Sequence, residues 1–200
     1  MKALKILENV MTVILAAAVI LVAGIYYVPK MFGYDPKAVV SGSMVLAGVS
    51  DSDRQYYKEE CGIENLHGYD VGCLVYVHQT DFDDIKNGDA ITYRLSDDFI
   101  VTHMVVDINP EAQTFTTHGI ANARNLNEAD IPYSSVLGKA SDFSIPLAGY
   151  VLDWASSAAA KILLITYIVV YIIVMVTNNL IGKASDDNDD DDEKQNNPME

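Results

Sequence analysis

The sequence predicts a mainly β fold, in which one small curled β-sheet domain is flanked by two transmembrane α-helices. Two long apolar segments lie towards the two ends of the 200-residue chain, and short runs rich in β-branched residues lie between them. Turn signals separate the runs that we predict to be strands, at residues 74–77, 90–93, 99–106, 114–117 and 136–140. Strands spaced in this way favour a small sheet over alternating βα units. A further short strand over residues 38–40 is predicted to lead into the turn at residues 41–44.

The first apolar segment, residues 10–28, contains no charged residue. Its length is enough to cross a bilayer core of about 30 Å at about 1.5 Å per residue. We therefore expect a transmembrane helix over residues 10–29, after a short charged lead over residues 1–9. A removable signal peptide is the alternative, although the apolar core of such a peptide usually has only about 7 to 15 residues.

The second apolar segment, residues 162–181, predicts a second transmembrane helix, with a buried core helix as the alternative. The residues before it include Tyr150 and Trp154, which are typical anchors at a membrane interface. We assign residues 146–182 to this interfacial approach and the helix. The acidic run that follows repels itself, so residues 183–200 are predicted to form a disordered tail.

Residues 30–145 are enough for one domain between the two helices. From residue 31 to residue 160 the chain has 19 Asp and Glu residues against 7 Lys and Arg residues, and the formal net charge of the whole chain is −15. This acidity argues against nucleic acid as a partner, because nucleic-acid binding requires a basic surface. The spacing of the cysteines and histidines gives no metal or cofactor signature, so we predict neither.

Ser43 is the candidate nucleophile, in the stretch Val-Ser-Gly-Ser-Met at residues 40–44. A serine hydroxyl is a weak nucleophile at neutral pH and needs a base within hydrogen-bond reach. His103 is the best placed of the four histidines, because the predicted strand puts its side chain on one face with Val101 and Val105. The alternatives are an ordinary turn at Ser43 and a strand histidine that satisfies only a local hydrogen bond.

Five short blocks follow one another along the chain, at residues 41–44, 72–77, 87–93, 101–103 and 136–139. Their residues and their order resemble the type I signal peptidases. The resemblance is to the branch found in the endoplasmic reticulum, in archaea and in some Gram-positive bacteria, which uses histidine where the common bacterial branch uses lysine. It covers residues 10 to about 181.

The resemblance implies roles for the residues of the first and fourth blocks. Ser43 would attack the peptide carbonyl, and His103 would take its proton. The backbone amide of Ser43 and the hydroxyl of Ser41 would stabilise the oxyanion.

A third group is needed to orient the histidine. Members of this branch have a Gly-Asp-Asn segment and a second acid after the histidine strand, and the matching stretch here is residues 117–130. Ile120 replaces the first aspartate. We therefore predict that Asp130 orients His103, with Glu128 as the alternative and Asp89 as a distant third.

The resemblance implies a membrane-bound serine endopeptidase that removes N-terminal signal peptides from exported pre-proteins. Its partners would be those signal peptides and the lipid bilayer, with accessory subunits undetermined. Both termini would face the cytoplasm, and the middle domain would lie outside it. The absence of Asn-x-Ser/Thr sequons favours a bacterial plasma membrane, with the endoplasmic reticulum membrane as the alternative.

Residues 45–70 depart from the family pattern and are interpreted as an insertion beside the site, in which residues 52–60 are predicted to form a short helix. The insertion would be a lid, a partner contact or a solvated embellishment. Together with the aspartate lost at Ile120, it supports a rival interpretation, an inactive signal-peptidase-like binding module. A two-helix scaffold without a site is a third. Cys61 and Cys73 would form a disulfide or remain two unrelated thiols.

Overall fold

The computed structural model describes residues 2–96 and 99–196, with side chains for residues 2–96, 99–128 and 130–181. The chain divides into two compact units. One combines Met1–Ala23 with Ala155–Glu200, and the other is Gly24–Trp154.

The helical segments include two that are long and apolar enough to cross a membrane, Lys2–Met31 and Ala158–Ile181. The first consists of α1 (Lys2–Val22), a π-helical turn (Ala23–Tyr27) and α2 (Val28–Met31), and so begins before the predicted boundary at residue 10. The second lies within the long helix α5 (Ala158–Asn196). Contacts between α1 and α5 include a hydrogen bond from the Tyr167 hydroxyl to the Met11 carbonyl oxygen.

The predicted disordered tail, residues 183–200, differs from the structure over much of its length, because α5 continues to Asn196. Extending an existing helix adds one hydrogen bond for each residue fixed and avoids the cost of nucleation. Residues 197–200 lie outside the described residues, as do the side chains after Ile181.

The middle unit is built on a seven-stranded antiparallel sheet. Its strands are β1 (Tyr34–Ala38), β2 (Leu74–His78), β3 (Ala90–Ser96), β4 (Phe99–Asn109), β5 (Thr114–His118), β6 (Glu128–Pro132) and β7 (Val136–Ile145), in the spatial order β1-β2-β7-β3-β4-β5-β6. All five β-branched runs that the sequence predicts to be strands form strands in the structure. The chain as a whole is 46% helical and 27% strand, so the description as mainly β suits only the part between the long helices.

The structure corrects the bounds of one predicted strand and contains one strand that the sequence does not predict. The strand expected at residues 38–40 ends at Ala38 and begins at Tyr34, and it includes Pro36. Proline is tolerated there because β1 is an edge strand of the sheet. Strand β6 was not predicted, since its residues, Glu-Ala-Asp-Ile-Pro, lack a β-branched run.

The two faces of the sheet carry separate apolar clusters. Neighbouring residues of β4 divide between them, Met104 in one cluster and Val105 in the other, as the alternation of a strand requires. The insertion at residues 45–70 adds the buried side chains of Tyr57, Ile63 and Tyr69 to the Met104 cluster. It is therefore part of the core, which corrects the expectation of a solvated embellishment.

Within the insertion, helix α3 (Asp51–Glu59) confirms the predicted short helix. The side chain of Ser50 caps its N-terminus by accepting a hydrogen bond from the backbone N–H of Asp53. Both cysteines, Cys61 and Cys73, are free thiols.

Candidate active site

The chain leaves β1 in an extended segment that leads to Ser43, and backbone hydrogen bonds hold this segment in place. Val39 N–H donates to the Cys73 carbonyl at 2.9 Å, and the Val39 carbonyl accepts from Gly72 N–H at 2.8 Å. The Ser43 carbonyl accepts from Ala121 N–H at 2.9 Å. The turn that carries Ser43 is thus held on both sides by main-chain hydrogen bonds.

Ser43 and His103 come together although they are 60 positions apart in the sequence. The Nε2 atom of His103 lies 3.1 Å from the Oγ atom of Ser43. The Oγ atom of Ser41 lies 3.2 Å from the same Ser43 oxygen. His103 is 5% exposed and sits in β4, opposite Ile91 of β3. The Ser43 hydroxyl and the His103 imidazole are therefore within hydrogen-bond distance of each other, as the sequence predicts.

Glu128 occupies the position predicted for Asp130. Its Oε2 atom lies 2.9 Å from Nδ1 of His103, and the Glu128 side chain is 27% exposed. Asp130 is exposed and has a left-handed backbone conformation, with φ of 57°. The prediction of an Asp130–His103 hydrogen bond is therefore wrong, and the alternative residue makes the contact.

A β-bulge in β6 explains why Glu128, and not Asp130, contacts His103. Thr117 of β5 pairs with Glu128 and Phe115 pairs with Ile131, so β6 contains one residue more than its partner over this interval. The extra residue breaks the alternation of faces. Asp130 takes the left-handed conformation that Asp and Asn tolerate best, and its side chain is left in solvent.

The third acid considered, Asp89, is held away from the histidine by other partners. Its Oδ1 atom forms an ion pair with Lys139 at 2.7 Å, and its Oδ2 atom accepts a hydrogen bond from Lys86 N–H at 2.9 Å. Asp89 therefore ties the turn before β3 to β7.

Burial lowers the pKa of His103 below its ordinary value of 6.5, and the carboxylate of Glu128 opposes this effect only in part. The imidazole is therefore neutral at neutral pH. A neutral imidazole that donates from Nδ1 to Glu128 presents an unprotonated Nε2 to Ser43. This is the protonation state that a general base needs.

Gly119 lies directly against the Ser43–His103 pair. A Cβ atom at this position would stand 2.8 Å from Nε2 of His103 and 2.9 Å from Cβ of Ser43. Such distances are too short for ordinary contacts, so only glycine leaves the pair undisturbed. Gly119 follows β5 and lies in the stretch, residues 117–130, that is matched to the Gly-Asp-Asn segment and the second acid of the resemblance.

A cavity of about 290 Å³ opens beside the pair. Ser41, Ser43, His103 and Glu128 all contribute to its wall. The rest of the lining is mainly apolar, and much of it comes from the segment after β1 and from the β3–β4 hairpin, through Val39, Val40, Leu95, Phe99, Ile100 and Val101. The reactive groups therefore face a space suited to an apolar segment of a ligand.

Comparison with known proteins gives an independent indication of function. The chain is 27% identical over 153 residues to Signal peptidase I W of Bacillus subtilis (strain 168), and the match covers 72% of this chain and 69% of that protein. This similarity supports a type I signal peptidase. No protein-family model matches the chain. No solved structure gives a significant match.

For a candidate signal peptidase, the structure joins Ser41, Ser43, His103 and Glu128 and leaves Asp130 outside. Sequence reasoning did not single out Gly119, although it lies in a stretch already matched to the family. It also did not find two buried hydroxyl groups near His103, those of Tyr93 and Thr117. Nothing in their strand sequences distinguishes them from ordinary core residues.

Proposed function

We propose that this chain is a membrane-bound signal peptidase I of the Ser–His type, a serine endopeptidase that removes N-terminal signal peptides from exported pre-proteins. One observation carries the proposal. The Ser43 hydroxyl, the His103 imidazole and the Glu128 carboxylate form a hydrogen-bonded line, with distances of 3.1 Å and 2.9 Å, at the wall of an apolar cavity. The similarity to Signal peptidase I W supports it.

The reaction begins when Ser43 Oγ attacks the carbonyl carbon of the scissile peptide bond. His103 Nε2 accepts the serine proton, and Glu128 stabilises the imidazolium that forms. The same proton passes to the leaving amine as the tetrahedral intermediate collapses to an acyl-enzyme. A water molecule, activated by His103, then hydrolyses the acyl-enzyme and regenerates Ser43.

The oxyanion is assigned two donors, the backbone N–H of Ser43 and the hydroxyl of Ser41. The Ser41 oxygen is 3.2 Å from the attacking oxygen, so it is close to any tetrahedral centre formed on Ser43. Loss of one such donor typically costs about 3 kcal/mol of transition-state stabilisation. Ser41 therefore contributes a graded amount, whereas Ser43 is indispensable.

The substrate is proposed to enter the cavity as an extended segment. Its apolar lining suits small apolar residues at the first and third positions before the cut, the Ala-x-Ala pattern of signal sequences. The two apolar helices, Lys2–Met31 and Ala158–Ile181, are proposed to anchor the chain in the membrane twice. The termini would be cytoplasmic and the sheet domain extracytoplasmic, in a plasma membrane or, as the alternative, in the endoplasmic reticulum.

The rival interpretation was an inactive binding module, and it depended on the loss of an acid near the histidine. The 2.9 Å contact between the Glu128 carboxylate and Nδ1 of His103 supports an active enzyme instead. The similarity to a signal peptidase gives the inactive role no support.

The test is cleavage of a pre-protein by the full chain solubilised in detergent. We expect cleavage at the end of the signal sequence by the wild type, none by Ser43→Ala, and slower cleavage by Ser41→Ala. Ser134→Ala, which changes an exposed serine outside the cavity, is the matched control. Full activity of Ser43→Ala would overturn the proposed function.

A further inference from the structure

Two buried hydroxyl groups lie behind the His103–Glu128 pair and have no part in the mechanism given above. Tyr93 and Thr117 are both 0% exposed. Their hydroxyl oxygens are 2.8 Å apart. The Thr117 hydroxyl also donates to Oε2 of Glu128 at 3.4 Å, and the Tyr93 oxygen is 3.5 Å from Nδ1 of His103.

The sheet brings these groups together from four neighbouring strands. Tyr93 is in β3 and His103 is in β4, while Thr117 in β5 pairs directly with Glu128 in β6. Each strand therefore contributes one polar group to the same buried place. Burying a hydroxyl costs free energy unless it is hydrogen-bonded, so packing alone does not account for these two hydroxyls.

The number of available protons fixes which group donates in each hydrogen bond of this network. The Glu128 carboxylate only accepts hydrogen bonds, so the proton of Thr117 points to Glu128. Thr117 has no second proton, and the Tyr93 hydroxyl must therefore donate to Thr117. Burial raises the pKa of Tyr93 to about 12, so Tyr93 keeps its proton, and remains a donor, throughout the neutral range.

The same count decides where the Nδ1 proton of His103 goes. It has two acceptors within reach, and the Glu128 oxygen at 2.9 Å is charged and nearer than the Tyr93 oxygen at 3.5 Å. The Thr117–Glu128 distance is long for a hydroxyl donor, as catalytic hydrogen bonds often are before substrate binds. Its direction is nevertheless fixed by the proton count.

We propose that Tyr93 and Thr117 are positioning residues, which hold the Glu128 carboxylate against Nδ1 of His103 and so keep Nε2 free to accept the Ser43 proton. Their effect on turnover rests on the proposed function. Their effect on the histidine tautomer does not, because it belongs to the resting protein.

The experiment compares the full chain in detergent, labelled with ¹⁵N-histidine, with four variants. Thr117→Val removes the hydroxyl and keeps the shape, and Thr117→Ser keeps the hydroxyl. Tyr93→Phe is nearly isosteric. Thr92→Val is the matched control, because Thr92 is also 0% exposed and its hydroxyl is hydrogen-bonded at 2.8 Å, to Thr102. The measurements are the tautomer of His103 by NMR, assigned with His103→Gln, and kcat and KM for a signal-peptide substrate.

We expect Thr117→Val to lower kcat about 10-fold with KM nearly unchanged, as loss of one hydrogen bond to a charged group predicts. Tyr93→Phe should act in the same direction and less strongly. In both, the His103 tautomer protonated at Nε2 should gain population. Thr117→Ser and Thr92→Val should stay within about 2-fold of the wild type.

An unchanged tautomer and unchanged kcat in both Thr117→Val and Tyr93→Phe would overturn the inference. So would equal losses in Thr117→Ser and Thr117→Val, which would indicate packing. If Thr117→Val does not fold, Tyr93→Phe decides by the same two measurements. If the two variants change the His103 tautomer but the wild type shows no Ser43-dependent cleavage, the positioning role would stand and the proposed function would be overturned.

Discussion

Gly119 lies so close to His103 that a single methyl group would occupy the space beside its reactive nitrogen, at 2.8 Å from Nε2. The backbone of Gly119 is not in the left-handed region, so alanine would meet no backbone strain there. The effect of Gly119→Ala would therefore come from side-chain contacts, those with the Ser43–His103 pair and one with Asn122 Nδ2 at 2.6 Å. A misplacement of about 1 Å at reacting groups can lower the rate about 100-fold.

We accordingly predict that Gly119→Ala lowers kcat about 100-fold, with a much smaller effect on KM. Steady-state cleavage kinetics would measure it. Gly24→Ala adds the same methyl group where, among the described residues, no atom lies within 4 Å apart from its chain neighbours and its own helix backbone, and it should behave as the wild type. Normal turnover by Gly119→Ala would show that the pair tolerates a shift of this size.

The acid that orients His103 is tested by two isosteric substitutions. Glu128→Gln removes the charge that accepts the Nδ1 proton, and we expect kcat to fall by about 100-fold to 10,000-fold, as for other triads that lose this acid. Asp130→Asn should have no effect, because Asp130 is exposed and asparagine also tolerates its left-handed backbone. Kinetics of the two variants side by side would decide. A loss confined to Asp130→Asn would restore the original prediction.

Glu128 and Asp130 also show how much of this site can be predicted from the sequence. The closeness of Ser43 and His103 could be predicted because a short turn motif and a β-branched strand surround them. Glu128 and Asp130 are two positions apart, and regular alternation would place both side chains on one face. The bulge in β6 that separates them has no signature in the residues themselves, since it depends on how β6 pairs with β5.

The fold shows a similar division. The central strands are rich in β-branched residues, and the sequence predicts them. The edge strands β1 and β6 contain proline and charged residues, and the sequence does not place them correctly. Edge strands tolerate such residues, so their composition resembles that of a loop. The burial of Tyr57 in the insertion was likewise invisible, because helix α3 is otherwise mostly polar.

The pH dependence of the reaction should follow the protonation of the His103 imidazole. Burial lowers its pKa below 6.5, so the midpoint of the acidic limb of kcat/KM should lie below pH 6.5. Glu128 raises this pKa, so Glu128→Gln should move the acidic limb to still lower pH. A pH profile of kcat/KM for both proteins would measure the two limbs. An acidic limb above pH 6.5 in the wild type would contradict the prediction.

The same pKa has a consequence for stability. In the unfolded chain the histidine binds a proton as the pH falls through about 6.5, while in the folded protein it stays neutral to a lower pH. The unfolded state therefore gains protons first, and the contribution of His103 to the free energy of unfolding decreases as the pH falls below about 6.5. A His103→Gln variant should lose less stability over this range in thermal unfolding.

The proposed topology can be tested with a membrane-impermeant thiol reagent on intact cells. In a Cys61→Ser background, the remaining Cys73 is buried. We expect a cysteine at the exposed residue Ser96 to be labelled and one placed in the tail at residue 186 to be protected. The reverse pattern would invert the assignment of the two sides.

The last prediction concerns Gly149, in the first turn of α4 (Ala148–Ser156). Its N–H donates to the Gly72 carbonyl at 3.0 Å, and a Cβ atom there would lie 2.2 Å from the carbonyl oxygen of Cys73. Gly72 and Cys73 are the two residues whose backbones hold Val39, at the entrance to the nucleophile turn. Three backbone hydrogen bonds therefore connect α4 to Val39, four residues before Ser43.

Gly149→Ala should accordingly reduce both stability and turnover. Overpacking of this kind typically costs about 1 to 3 kcal/mol, which lowers Tm by several degrees in a domain of this size. We expect kcat to fall at temperatures well below the new Tm, because displacement of the Cys73 carbonyl would disturb its hydrogen bond with Val39. Thermal unfolding and cleavage rates would be measured together, with Gly24→Ala as the control. A lower Tm with unchanged kcat would show that α4 supports the fold without reaching the nucleophile.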